Sequence, residues 1–219
     1  MKISVVTLFL KTFESYFAHS MMWKAQDKKL LEIDYVDLRD FGIGPRKQVD
    51  DTPYGGGDGM LLRADVVVPA IESVRTKESR VILLTPQGEV FKQADAQRLF
   101  EIEHLILVCG HYEGFDERIR EHVDEQISVG DYVLTGGELP AMVVMDAVAR
   151  LIPGVLGGEA SAEVESFADG ELLEYPQYTR PEDFQGKKVP DILLSGHHGE
   201  IAKWRTDQAQ RKTKRRYTK

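Results

Sequence analysis

Glu113, Arg150 and Glu165 are the side chains of this sequence best placed to do chemistry, because each lies in or beside a glycine-rich segment. Carboxylates can carry protons, and an arginine can hold negative charge. Taken singly, all three are types that usually decorate a solvated surface. Arg150 also follows Asp146 by four residues, the spacing of a helix-surface ion pair. Their setting carries the reading further. Ser128-Val129-Gly130-Asp131-Tyr132-Val133-Leu134-Thr135-Gly136-Gly137-Glu138-Leu139-Pro140 reads as a strand end, a glycine turn and a helix start. Gly136 and Gly137 let main chain approach a ligand closely, and Pro140 costs little in a first helical turn. A second glycine-bounded loop, Cys109-Gly110-His111-Tyr112-Glu113-Gly114, follows the apolar run Leu105–Val108. Together the loops imply a pocket lined by backbone at the carboxyl ends of neighbouring strands.

Other chemistries find less support. Gly42–Gly59 is a long glycine-rich loop, and loops of that kind in compact domains are usually functional or disordered. Its Gly55–Gly59 cluster lacks the Gly-Lys-Ser/Thr ending of a phosphate-binding P-loop and the spacing of a dinucleotide fingerprint. A flap that closes over a substrate fits better, with Arg46, Lys47 and Asp50 at its front able to meet a phosphate or a base. The histidines, including the adjacent His197 and His198, show no metal-site spacing, and no metal site is expected. Cys109 reads as a small buried hydrophobe. No Gly-x-Ser-x-Gly elbow occurs, so hydrolase chemistry is weakly supported.

The elements that must position these residues alternate between strand and helix, the pattern of a mostly parallel α/β sheet. Strands are predicted at Ile3–Leu8, Leu31–Val36, Val81–Leu84, Leu105–Val108 and near Gln126–Val129. Helices are predicted at Phe13–Lys24, Ala64–Val74, Gln93–Phe100, Asp116–His122 and Leu139–Leu151. In the last of these, Leu139, Met142, Val143 and Ala147 recur at helical spacing and predict a buried face. Pro153–Glu174 mixes glycines, small residues and carboxylates, as a linker does. A smaller helical unit follows, ending in a helix from about His198 to Lys212.

The net charge of -8 argues against a uniformly basic nucleic-acid binder, but the charge is unevenly spread. Acidic residues crowd Glu159–Glu174, while Lys203, Arg205, Arg211, Lys212, Lys214, Arg215 and Arg216 make the end basic, a candidate arm for a polyanion. No apolar run approaches the roughly 20 residues that span a bilayer, so no membrane is expected. The start, Met1–Leu10, reads as a strand rather than a signal peptide. A single cysteine permits no intrachain disulfide and suits a reducing cytoplasm.

Several strings together resemble one family. They are Val49-Asp50-Asp51-Thr52-Pro53-Tyr54-Gly55-Gly56-Gly57, Leu84-Thr85-Pro86-Gln87-Gly88, Cys109–Gly114, Val129–Pro140, Tyr178-Thr179-Arg180-Pro181 and Val189–His198. By these the chain is similar to the bacterial tRNA (guanine-N1)-methyltransferases, over nearly its whole length. The resemblance implies a SPOUT-type knotted, mostly parallel sheet flanked by helices, with a small α-helical C-terminal domain. The implied domains are 1–156, the knotted methyltransferase domain, then 157–174, a linker, and 175–219, a helical tRNA-binding domain. It implies a homodimer, with active sites between subunits, that takes a methyl group from S-adenosyl-L-methionine to N1 of the guanosine immediately 3′ of the anticodon. Magnesium is suggested as well, although the sequence shows no ligand cage for it.

Residue roles follow from the same strings. Pro86, Gly110, Tyr112 and Glu113 are implied as the first walls of the donor pocket, and Val129, Gly130, Asp131, Tyr132, Val133, Leu134, Gly136, Gly137 and Pro140 as the last. Arg46, Asp50, Tyr54, Ser161, Arg180, His197, Lys203 and Arg205 are implied contacts to tRNA. Arg150 is implied to face guanine O6, and Glu165 stands where the family has an aspartate as general base. Asp169, four residues on, is the alternative base, and Glu113 completes the candidate catalytic set. Asp58 and His111 also depart from the motif residues of the family. A ribose methylase of the same superfamily and an RNA-binding protein without catalysis remain the alternatives.

Overall fold

The computed structural model describes residues 1–156, 165–168 and 170–218. Ser161 and Asp169 lie outside the described residues. The chain forms two compact units, Met1–Glu159 and Ala160–Lys219.

The first unit runs β1 (Lys2–Thr7), α1 (Lys11–Phe17), α2 (Ser20–Asp27), β2 (Glu32–Asp37), β3 (Asp50–Asp51), β4 (Leu61–Leu62), α3 (Ala64–Glu72), β5 (Ser79–Val90), α4 (Gln93–Phe100), β6 (His104–Cys109), β7 (Glu125–Ser128) and α5 (Glu138–Ala149). Short 3-10 turns occupy Leu38–Phe41 and Glu117–His122. Five of the strands form one sheet in the order β2-β1-β6-β5-β7. Every pairing in it is parallel. Such a sheet is covered on both faces, so its central strands run apolar rather than alternating. β6 meets this description, being buried at every position. The pleat sends Leu105 and Leu107 to one side, against Phe13, Leu99 and Val148, and Ile106 and Val108 to the other, against Val66, Val67 and Ile71.

The apolar runs mark all five sheet strands, but three helical expectations change. The helix expected over Phe13–Lys24 is broken into α1 and α2, with His19 extended and Ser20 at φ +53°. In one continuous helix Met22 would point about 140° away from Phe17; the break lets both side chains bury. Asp116–His122 winds as a 3-10 turn capped by the Asp116 carboxylate, which accepts from the Arg118 amide. The face expected to be buried on α5 is also corrected. Ala141, Val144, Met145, Val148 and Ala149 are buried, whereas Leu139 and Val143 are 56% and 49% exposed. Nearly every residue of α5 is apolar, so spacing offers no unique stripe, and contact with the sheet chooses the face.

The second unit contains a two-stranded hairpin, β8 (Asp183–Phe184) and β9 (Lys187–Lys188), then α6 (Asp191–Leu194) and α7 (His198–Tyr217). The hairpin is an addition to the helical unit read from sequence. Part of the stretch expected as linker packs with this unit. Leu173 is 8% exposed and its amide donates to Thr213 Oγ1 on α7 at 2.9 Å.

Candidate functional site

A cavity of about 430 Å³ opens between the irregular middle of β5 and the segments that follow β6 and β7. Each wall is a stretch where regular strand pairing is interrupted or ends. β5 supplies the first: its pairing with β7 shifts register between Leu84 and Glu89, which frees Thr85, Pro86 and Gln87 at the cavity mouth. The turn after β6 supplies Gly110, Tyr112 and Glu113, and the segment from β7 to α5 supplies Val129, Tyr132, Val133, Leu134, Gly136, Gly137 and Pro140. The three implied walls therefore converge on one space. Gly130 and Asp131, expected as lining residues, are not among them. They form the bend instead, with Ser128 Oγ donating to the Gly130 carbonyl at 3.0 Å and accepting from its amide at 3.2 Å.

Gly137 shows why this wall demands glycine. Its amide donates to the Gly110 carbonyl at 2.8 Å. A Cβ on Gly137 would lie 2.6 Å from the Gly110 nitrogen and 2.7 Å from Cys109 Cα. Main chain rather than a flexible side chain stands there, so a methyl group would push the two walls apart. Leu84, Ile127 and Pro140 give the cavity apolar surface, while the loops give it backbone donors and acceptors. That combination suits a flat heteroaromatic base whose edge is read by main chain.

Sequence reading missed Phe115, Glu117 and Arg120, which also line the cavity. Arg120 donates to Glu117 Oε2 at 2.8 Å and also reaches the side-chain oxygens of Gln87 and Gln126. It thereby braces the mouth between β5 and β7. The signal was its place just after the second glycine loop, but the partners are dispersed in sequence.

The long glycine-rich loop is tied to this cavity. Glu113 N–H donates to the Met60 carbonyl at 2.9 Å, and Leu62 N–H to the Gly114 carbonyl at 2.9 Å. Gly59, at φ +86°, lies so close to the Glu113 side chain that a Cβ there would be 2.3 Å from its Cγ. Asp50 pairs with Leu62 through β3 and β4. Burial, then the Asp50 charge, pushes the Tyr112 hydroxyl above its usual range, against the lowering effect of Arg39. Arg46 is exposed, and Tyr54 stands fully in solvent. Cys109 is buried, and burial together with the Glu138 charge pushes its thiol well up, so it is no nucleophile.

Arg150 closes the carboxyl end of α5, its amide donating to the Asp146 carbonyl at 3.1 Å. The Asp146 carboxylate accepts from the Tyr16 hydroxyl. In the second unit, Glu165 is half-buried in a turn in which its carbonyl accepts from Ala168 N–H at 3.2 Å. Arg180 and His197 are exposed. Lys203 pairs with Glu200 at 3.0 Å. Arg205 lies over the Tyr175 ring, 4.8 Å from its centre. Among the described residues no group of three histidine, cysteine or carboxylate side chains could hold a metal ion, and no helix is long and apolar enough to cross a membrane.

An open parallel sheet carrying a backbone-lined cavity of ligand size beside its strand-end loops places the chain among α/β ligand-binding folds. Comparison with known proteins narrows the class. The family described as "tRNA (Guanine-1)-methyltransferase TrmD" matches residues 1–219. The tRNA (guanine-N(1)-)-methyltransferase of Staphylococcus carnosus (strain TM300) is 54% identical over 210 residues, 95% of this chain and 85% of that protein. The enzymes of the same name from Staphylococcus aureus (strain JH9) and Staphylococcus haemolyticus (strain JCSC1435) are 54% and 53% identical over the same shares. The chain belongs to the tRNA (guanine-N1)-methyltransferase family.

Proposed function

We propose that this protein methylates N1 of the guanosine immediately 3′ of the anticodon, with S-adenosyl-L-methionine as donor. One observation carries the reading: the three loop walls named for that donor meet in a single cavity, with glycine main chain where a Cβ could not fit. The bound donor supplies a methyl group activated on a sulfonium. The chain's own residues do the rest. Main chain of the Val129–Leu134 and Gly136–Gly137 segments would read the adenine edge, and Pro86, Leu84 and Glu113 would line the rest of the pocket that holds the donor. The knot implied for the family would hold the β7–α5 segment rigid in this role.

Guanine N1 carries a proton and attacks only once that proton leaves. A carboxylate within hydrogen-bond reach speeds such a step by about 10²–10⁴. We assign this to Glu165, whose longer side chain leaves the chemistry of the aspartate it replaces intact, with Asp169 as the alternative. Proton removal drives charge onto O6, where the Arg150 guanidinium stabilises it. Magnesium is given no step, because no described cluster offers it a cage.

Leu139 and Val143 lie one turn apart and exposed on α5, an apolar pair that supports a homodimer through this helix. Arg180, His197, Lys203 and Arg205, with Arg46, Asp50, Tyr54 and Ser161, are proposed contacts to tRNA. The single buried cysteine is consistent with a cytoplasmic site of action. The test is methyl transfer from labelled donor to unmodified tRNA transcripts, followed by nucleoside mass spectrometry. The expected product is 1-methylguanosine. A ribose-methylated nucleoside would replace this reading with the superfamily alternative, and no transfer would remove catalysis.

A further inference from the structure

Glu138 is a carboxylate inside the protein, 7% exposed, at the start of α5 and behind the cavity lining rather than in it. Burying a carboxylate is costly unless partners satisfy it. The helix N-terminus offsets part of that cost. Thr7, at the end of β1, supplies a direct partner, its hydroxyl donating to Glu138 Oε1 at 2.7 Å. Thr7 Oγ1 accepts from the Phe9 amide at 3.0 Å, which leaves its proton committed to the carboxylate.

The second oxygen meets the donor cavity from behind. A Cβ on Gly136 would lie 2.4 Å from Glu138 Oε2 and 3.0 Å from His111 Nδ1. Both atoms thus face the same point of the wall, Glu138 from behind it and His111 from within the cavity lining. His111 Nδ1 is buried and has no hydrogen-bond partner among the described residues. Its ring is held between Phe9, 4.8 Å away, and Tyr112, 4.9 Å away, and Tyr112 faces the cavity.

We propose that Thr7, Glu138 and His111 form a positioning unit that fixes the two glycine loops of the donor cavity relative to β1, with His111 Nδ1–H giving the second hydrogen bond to the Glu138 carboxylate when the donor is bound. None of the three needs to touch the reacting atoms. Glu138 holds Gly136 and Gly137 from α5, His111 holds Gly110 and Tyr112 from β6, and Thr7 anchors the carboxylate to the central sheet. A hydrogen bond to a charged group is stronger than a neutral one, which gives a reason for glutamate rather than glutamine at this place. The inference rests on the cavity being the donor pocket.

The experiment is calorimetric titration of the full-length protein with S-adenosyl-L-methionine, beside melting curves and the KM for tRNA. Thr7→Val, Glu138→Gln and His111→Phe are each expected to weaken donor binding roughly tenfold and to leave the tRNA KM unchanged. Thr7→Ser, which keeps the hydroxyl, is expected to bind within about twofold of wild type. The double variant Glu138→Gln/His111→Phe is expected to bind no more weakly than the worse single variant, because both break the same hydrogen bond. Variants that melt earlier yet bind donor like wild type would overturn the proposal, as would full additivity in the double. If Thr7→Val does not fold, Thr7→Ser and Glu138→Gln still decide the matter. Wild-type protein that fails to bind the donor at all would sink the pocket assignment instead.

Discussion

The cavity glycines of the first unit stand at the edge of a sheet whose central strand β6 is buried at every position, whereas the basic side chains of the second unit stand on α7, where Ala209 is buried among the described residues. The first arrangement fixes backbone atoms to fractions of an ångström, as the close neighbours of Gly137 show. The second carries long cationic side chains at the surface, held by pairs such as Lys203–Glu200 and Arg211–Asp207 and by ring contacts such as Arg205 over Tyr175. A small donor recognised by shape needs rigid main chain. A polyanion recognised by charge needs density of cations and tolerates motion. The two regions should therefore fail differently when altered.

The sharpest contrast is expected from Gly137→Ala. Its methyl group meets the Gly110 and Cys109 main chain, so donor binding should be lost in calorimetry while tRNA retention on a filter persists. Retained donor affinity would mean that the cavity is as adaptable as the second unit. Glu165→Gln comes next, with single-turnover methylation at saturating donor expected to fall about 10²-fold or more and donor affinity unchanged. An unaltered rate would move the base to Asp169. Arg150→Ala should slow the same step at least roughly tenfold; loss confined to melting temperature would reduce Arg150 to a helix-end residue. Arg205→Ala or Lys203→Ala should raise the tRNA KM only severalfold. Each should also lower the log–log salt slope of binding by roughly 0.7–0.9 for every phosphate left without its cation. Donor affinity should not respond.

The smallest expected effect concerns stability of the first unit. His104 lies 5% exposed between the Ser4 and Ser79 hydroxyls, at 2.9 and 2.8 Å. Burial, then the Lys2 charge, holds its imidazole below the usual histidine range. The folded protein thus binds that proton less readily than the unfolded chain, so stability is full above about pH 6.5 and declines as pH falls through the folded value. Melting curves between neutral and mildly acid pH should show a decline that His104→Gln reduces.

Much of the cavity is legible in the amino-acid order, because its walls are contiguous strings. Pro86, the Gly110–Glu113 turn and the Gly136-Gly137-Glu138-Leu139-Pro140 helix start each declare a local backbone need that follows from residue type. Gly130 and Asp131 lie in the bend of the last string and not on the cavity lining, because a string match does not say which residue of a bend faces inward. Arg120 was missed because its partners, Gln87 and Gln126, are remote in sequence.

The sequence by itself determined the five strands of the main sheet, where glycine must stand and which family the strings resemble, since all three depend on short-range residue types. Tertiary structure alone decided which face of the wholly apolar α5 is buried, where the first helix had to break, and that Glu138 would sit inside the protein against Thr7, 131 residues away. The physical reason is common to these cases. Periodicity reports that a segment has a face to bury, but only the partner packed against it selects that face, and a buried charge is tolerable only where a distant donor arrives to meet it.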